Sequence, residues 1–94
     1  MKYKLLYSKK FNKQYARLLR SGNERTIKEV RKTIVFLANG EGLSEKYRNH
    51  RLIGDMQDCF ECHALPDWLL IYRKHEDILV LELIGTGSHS ELFE

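Results

Sequence analysis

Proline occurs once in the 94 residues and cysteine twice, and no apolar run is long enough to cross a bilayer. Each shortage excludes something. The apolar stretches Trp68 to Tyr72 and Ile78 to Leu81 fall far short of the roughly 20 residues that span a membrane. The start, Met-Lys-Tyr-Lys-Leu-Leu-Tyr-Ser-Lys-Lys, is basic but has no apolar run suited to export. Two cysteines without an export signal point to a reducing, cytoplasmic compartment and no disulfide framework. Neither Pro/Gly/Ser linkers nor repeats nor low-complexity segments break the chain, so one domain over 1–94 is expected. What is present suffices for a small core. With 43% hydrophobic and 11% aromatic residues, the chain has too much buriable surface to be disordered.

Negative charge is scarce in the first half. Residues 1–51 hold 14 Lys and Arg against 4 Asp and Glu, a charge of +10. Residues 52–94 hold 2 against 9, a charge of −7, so the formal net charge of +3 averages two opposite halves. A basic half fits a polyanion surface, because Lys and Arg at phosphates release condensed counterions. Two helices with solvated basic faces would give the same count.

Periodicity supplies the elements. Lys2 to Tyr7 reads as a short strand, and Ser8 offers its hydroxyl as a helix N-cap. Phe11, Tyr15, Leu18 and Leu19 follow at helical spacing until Gly22 stops the helix. A second helix is expected from Glu24 to Ala38, with Ile27, Val30, Ile34 and Leu37 on one face. Polar residues 44–57 suit a loop ending in an extended piece at His50 to Ile53. Asp58 to Leu65, Trp68 to His75 and Ile78 to Gly85 then read as strands, and Pro66-Asp67 turns between the first two. The tail from Thr86 to Glu94 is expected to be ordered only in part. The class is α+β: two N-terminal helices on one face of a small, mainly antiparallel sheet, in the order β-α-α-β-β-β.

Cys59-Phe-Glu-Cys62-His63 matches a haem-attachment pattern and half of a zinc site. On a strand, however, side chains alternate, so Cys59 and Cys62 point to opposite faces and cannot share one ion. No second Cys-x-x-Cys completes a four-cysteine site, and the cysteines read as small core residues, with no metal or cofactor expected. The same alternation places Phe60, Cys62 and Ala64 toward the helices and Glu61 and His63 on the open side. His50, His63 and His89 all fall outside core positions, with Asp67 nearby. Histidines titrate near neutral pH, and two such groups flanking a phosphodiester suffice for RNA cleavage without metal. A cation should offset charge building on phosphorus, and Phe93 could stack on a base. The residues alone leave open a nucleic-acid binder or a nuclease.

Three motifs narrow this: His50-Arg-Leu-Ile-Gly54-Asp55, Glu61-Cys-His63-Ala-Leu-Pro66-Asp67-Trp68, and Thr86-Gly-Ser-His89-Ser-Glu-Leu92-Phe93. Together they resemble the YafQ-type toxins of the RelE/ParE superfamily, the toxin halves of bacterial type II toxin–antitoxin pairs. The resemblance covers the whole chain.

It implies a ribosome-dependent endoribonuclease that cuts mRNA in the A site, using His50, His63, Asp67, His89 and Phe93. Asp67, assisted by His63, would be the base and His89 the acid. His50 would hold the phosphate and Phe93 a base. RNA phosphates would meet Lys9, Lys10, Lys13, Arg17 and Arg20 of the first helix and Lys28 and Arg31 of the second. Arg51 and Arg73 would add to these contacts. The implied partners are a cognate antitoxin from the same operon, in a hetero-oligomer, and the ribosome with its mRNA; no membrane is implied. Relatives often carry arginine where this chain has Gly85, which leaves the transition-state cation to Arg51, Arg73 or a protonated His50 or His63. Ser88 for threonine and Glu91 for aspartate are milder departures. The superfamily also holds ParE-like toxins that inhibit DNA gyrase by binding, and a binder has no need of three histidines.

Overall fold

The computed structural model describes residues 1–54 and 58–93. Asp55, which ends the first motif, residues 56–57, and Glu94 lie outside the described residues. The order is β1 (Lys4–Tyr7), α1 (Lys9–Ser21), α2 (Glu24–Ala38), a single 3-10 turn (Glu45–Tyr47), β2 (His50–Arg51), β3 (Phe60–Leu65), β4 (Trp68–His75), β5 (Val80–Gly87) and α3 (His89–Phe93).

Local chemistry sets the helix ends where the sequence places them. The Ser8 hydroxyl accepts from the Phe11 N–H at 2.9 Å, and Gly22 closes α1 in the left-handed conformation at φ 72°. Asn23 caps α2 through its side-chain oxygen, which accepts from the Thr26 N–H at 3.2 Å. No helix among the described residues is long and apolar enough to cross a membrane.

The sheet runs β1-β5-β4-β3-β2. β1 pairs parallel with β5, and every other pairing is antiparallel, so the expected α+β architecture is the one present. Strand parity is also as expected. Cys62 packs with Phe11, Leu37, Leu70, Tyr72, Leu81 and Leu83 between helices and sheet, while Ala64 meets Leu18 and Val30. Glu61 and His63 lie on the opposite face.

Several boundaries differ from the periodicity: β1 begins at Lys4 instead of Lys2, and β2 ends at Arg51 instead of Ile53. The third strand begins at Phe60, because Asp58 sits at φ 63° and forms a turn. Ile78 and Leu79 form the exposed β4–β5 turn, Leu79 at φ 51°, so β5 starts at Val80. The tail is ordered further than expected: Thr86 and Gly87 finish β5, buried, and residues 89–93 are helical. Tertiary hydrogen bonds account for this. The Thr86 N–H donates to Gln14 Oε1 at 2.8 Å and its hydroxyl to the Leu69 carbonyl at 2.9 Å.

Candidate active site

Three elements converge at one end of the sheet. β3 carries His63, the β3–β4 turn carries Asp67, and α3 begins with His89. His63 lies opposite Leu69, and Leu69 lies opposite Gly87, so two registers bring the third motif beside the second. The result is an open cleft of about 270 Å³ lined by His63, Pro66, Asp67, Leu69, Ser88, His89 and Ser90.

The histidine geometry is specific. His63 Nδ1 lies 3.1 Å from the Pro66 carbonyl oxygen, which only accepts, so that nitrogen carries the proton. In the neutral ring, Nε2 is then the basic atom. Nε2 lies 3.9 Å from Glu61 Oε1, and the same oxygen accepts from His50 Nε2 at 3.1 Å. Glu61 is only 6% exposed, so this carboxylate sits out of bulk water between two imidazoles. The β2–β3 register, His50 opposite Glu61, makes the contact. Strand alternation puts Glu61 on the same face as His63, and that shared parity is the signal in the sequence for its place beside the site.

α3 brings the remaining residue. The His89 and Phe93 rings lie 5.1 Å apart, one helical turn from each other, and Phe93 is exposed. The helix settles onto the sheet because the strand beneath has no side chains in its way. A Cβ on Gly85 would meet Gln14 Oε1 at 3.2 Å and Leu92 Cδ2 at 3.6 Å; one on Gly87 would meet Glu91 Cβ at 3.3 Å. Gly85 therefore leaves room for Gln14, which a Cβ there would push back by a few tenths of an ångström, while Leu92 packs at ordinary contact distance.

The structure divides the expected RNA contacts among separate places. Lys10, Lys13, Arg17 and Arg20 line a groove between α1 and α3 with Gln14 and Glu91, and Lys9 is exposed at the start of α1. Lys28 and Arg31 border a different groove with Leu19 and Ile27, and Arg31 Nε donates to the Tyr15 hydroxyl at 2.7 Å. Arg51 and Arg73 line a third concavity with His75, near Asp58 and Glu82. Neither lines the cleft of His63 and His89, nor does His50, which meets Glu61 beside it, so of the cation candidates the structure brings only His63 there.

Among the described residues, one set has metal-ligand geometry: His50, Glu61 and His63 each offer an atom, all within 4.8 Å of one another. The cysteines are not in it. Both are buried free thiols, and burial raises the Cys62 thiol to about 12.

A family profile described as a bacterial toxin of type II toxin–antitoxin systems, YafQ, matches residues 3–94. The mRNA interferase toxin YafQ of Escherichia coli (strain K12) is 38% identical over 47 residues, 50% of this chain and 49% of that protein. The match thus spans about half the length of that relative. A metal-bound toxin from Helicobacter pylori superimposes with a TM-score of 0.86 at 38% identity, covering 97% of this chain and 99% of that one. YafQ in the E. coli DinJ–YafQ complex gives 0.86 at 25% identity, covering 98% and 99%. With the profile spanning nearly every residue and the second and third motifs meeting in one cleft, the chain belongs to the YafQ family of type II toxin–antitoxin toxins.

Proposed function

We propose that this toxin is an endoribonuclease that cuts mRNA in the ribosomal A site by metal-free acid–base catalysis. The observation that carries the reading is the convergence of His63, Asp67 and His89, from three elements, on one open cleft. Asp67, assisted by His63 Nε2, removes the 2′-OH proton. The freed oxygen attacks phosphorus and displaces the 5′-oxygen, which His89 protonates. The products are a 2′,3′-cyclic phosphate and a 5′-hydroxyl, with no water consumed. His50, within hydrogen-bonding distance of Glu61, holds the phosphate, and exposed Phe93 stacks on a base. The α1 groove, with four cations and one carboxylate, suits the RNA backbone.

The E. coli YafQ structure with DinJ supports an antitoxin partner from the same operon, whose acidic residues would meet the basic helices. Mapping mRNA ends after induction, wild type beside His89→Ala, tests the reading. Cuts that vanish in the variant support it. Growth arrest with intact mRNA and blocked gyrase supercoiling would replace it with the ParE-like alternative.

The donor set of His50, Glu61 and His63 also fits a borderline divalent ion: two imidazoles and a carboxylate with open positions. A bound ion supplies a Lewis acid, but it takes the lone pairs that proton transfer uses. We infer that such an ion inhibits this chain.

A further inference from the structure

The carboxylate of Glu91 faces two ways. Oε1 accepts from the Ser88 backbone N–H at 3.1 Å, and the Glu91 N–H in turn donates to Ser88 Oγ at 3.2 Å. This reciprocal pair closes the first turn of α3 around His89 and Ser90, both of which line the cleft. Oε2 lies 3.6 Å from Arg17 Nη1. Glu91 is also the single acidic residue among those lining the α1 groove, beside Lys10, Lys13, Arg17 and Arg20. One side chain therefore touches both the turn that holds His89 and the surface suited to RNA phosphates.

We propose that Glu91 is a positioning residue that sets His89 for catalysis through Ser88, while its charge opposes RNA binding in the α1 groove. This rests on the nuclease reading of the cleft. The two roles belong to different properties of the side chain. Positioning needs an oxygen that accepts from the Ser88 N–H, which glutamine also supplies. Opposition needs the negative charge, which repels phosphate and neutralises Arg17. A purely structural role for α3 would not separate them.

The separation gives the test. Cleavage of mRNA on programmed ribosomes is measured for wild type, Glu91→Ala, Glu91→Gln, Ser88→Ala and His89→Ala, reading the single-turnover rate and the half-saturating toxin concentration. Glu91→Ala loses the N–H acceptor, so its rate falls about tenfold to a hundredfold, the scale of a misplaced catalytic group. Its half-saturating concentration falls too, because the groove is more basic. Glu91→Gln recovers the rate to within about threefold of wild type while keeping the tighter binding. Ser88→Ala loses rate without gaining affinity. A glutamine variant as slow as the alanine variant overturns the proposal, as does an alanine variant with wild-type rate. Wild-type protein that leaves RNA intact, like His89→Ala, removes the nuclease reading and this proposal together; wild-type cleavage with Glu91 variants unaltered removes the proposal alone.

Discussion

The indole Nε1–H of Trp68 donates to the Thr86 hydroxyl at 2.8 Å, tying the Pro66-Asp67-Trp68 turn to the strand that delivers His89. The same hydroxyl donates to the Leu69 carbonyl at 2.9 Å, so Thr86 Oγ1 accepts one bond and donates another at 1% exposure. Thr86→Val keeps the shape and removes both bonds, taking the acceptor from the indole N–H and one donor from the Leu69 carbonyl. A loss of about 1–3 kcal/mol is expected, seen as a lower urea midpoint at unchanged m-value. Activity should fall further than the unfolded fraction explains, since the bond connects Asp67's turn to His89's strand. A midpoint within experimental error of wild type would show that these bonds are structurally idle.

Much of this arrangement is legible in the sequence because it is written in local rules. Ser8 and Gly22 mark helix ends by hydrogen-bonding and φ requirements of single residues. The parity of Glu61 and His63 follows from strand alternation, which fixes a face once one apolar set is assigned. What the sequence hides is register. Nothing in residues 50–61 says that His50 lies opposite Glu61, because the pairing is set by the sheet and not by spacing. α3 is hidden for a related reason. Five residues make a marginal helix alone, and this one exists because Gly85 and Gly87 admit Leu92 and because Ser88 and Glu91 cap it. Arg51 and Arg73 show the converse: their charge makes them candidates in the sequence, but the fold carries both to a separate concavity with His75.

Glu61 should matter to activity more than its distance from the proton-transfer atoms suggests. Glu61→Ala removes the acceptor of His50 and opens space beside His63 Nε2, so cleavage should fall at least about tenfold. Zinc provides an independent reading of the same three donors. Added zinc should inhibit the wild type, EDTA should leave it active, and Glu61→Ala should bind zinc at least about tenfold more weakly by calorimetry. Cleavage that requires added metal would reverse the assignment of the cluster as inhibitory.

The buried thiols give a prediction about alkali. Cys62 in the native chain keeps its proton to about 12, because burial and the nearby Glu61 charge disfavour the thiolate. Burial raises the Tyr72 phenol in the same direction. Between the ordinary thiol range and the native value the unfolded chain has released protons that the native chain retains, so stability is full below that window and falls as pH rises through it. The urea midpoint should therefore drop from about pH 8 to about pH 10.5, less so in Cys62→Ala after allowing for its lower baseline. Iodoacetamide at about pH 8 should modify the native chain slowly and the unfolded chain at both cysteines. Rapid native alkylation at Cys62 would contradict its burial.

Acid should loosen the turn that holds His89. The Glu91 carboxyl lies below its ordinary value of 4.5, first because the Ser88 backbone N–H donates to it, then through the Ser88 side chain and Arg17. A depressed carboxyl stabilises the folded turn above the ordinary carboxylate range, and that contribution is lost as pH falls through the native value. Because the hydrogen bond runs to a backbone amide, the Ser88 amide proton reports it directly in NMR. Its shift should titrate with a midpoint below 4.5, and the step should disappear in Glu91→Gln, which accepts the bond without ionising. The Arg17 contribution is smaller, so Arg17→Ala should raise the midpoint only slightly. A wild-type midpoint at or above the ordinary glutamate value would mean that Glu91 does not hold Ser88 in solution, and the route from that carboxylate to His89 would fall with it.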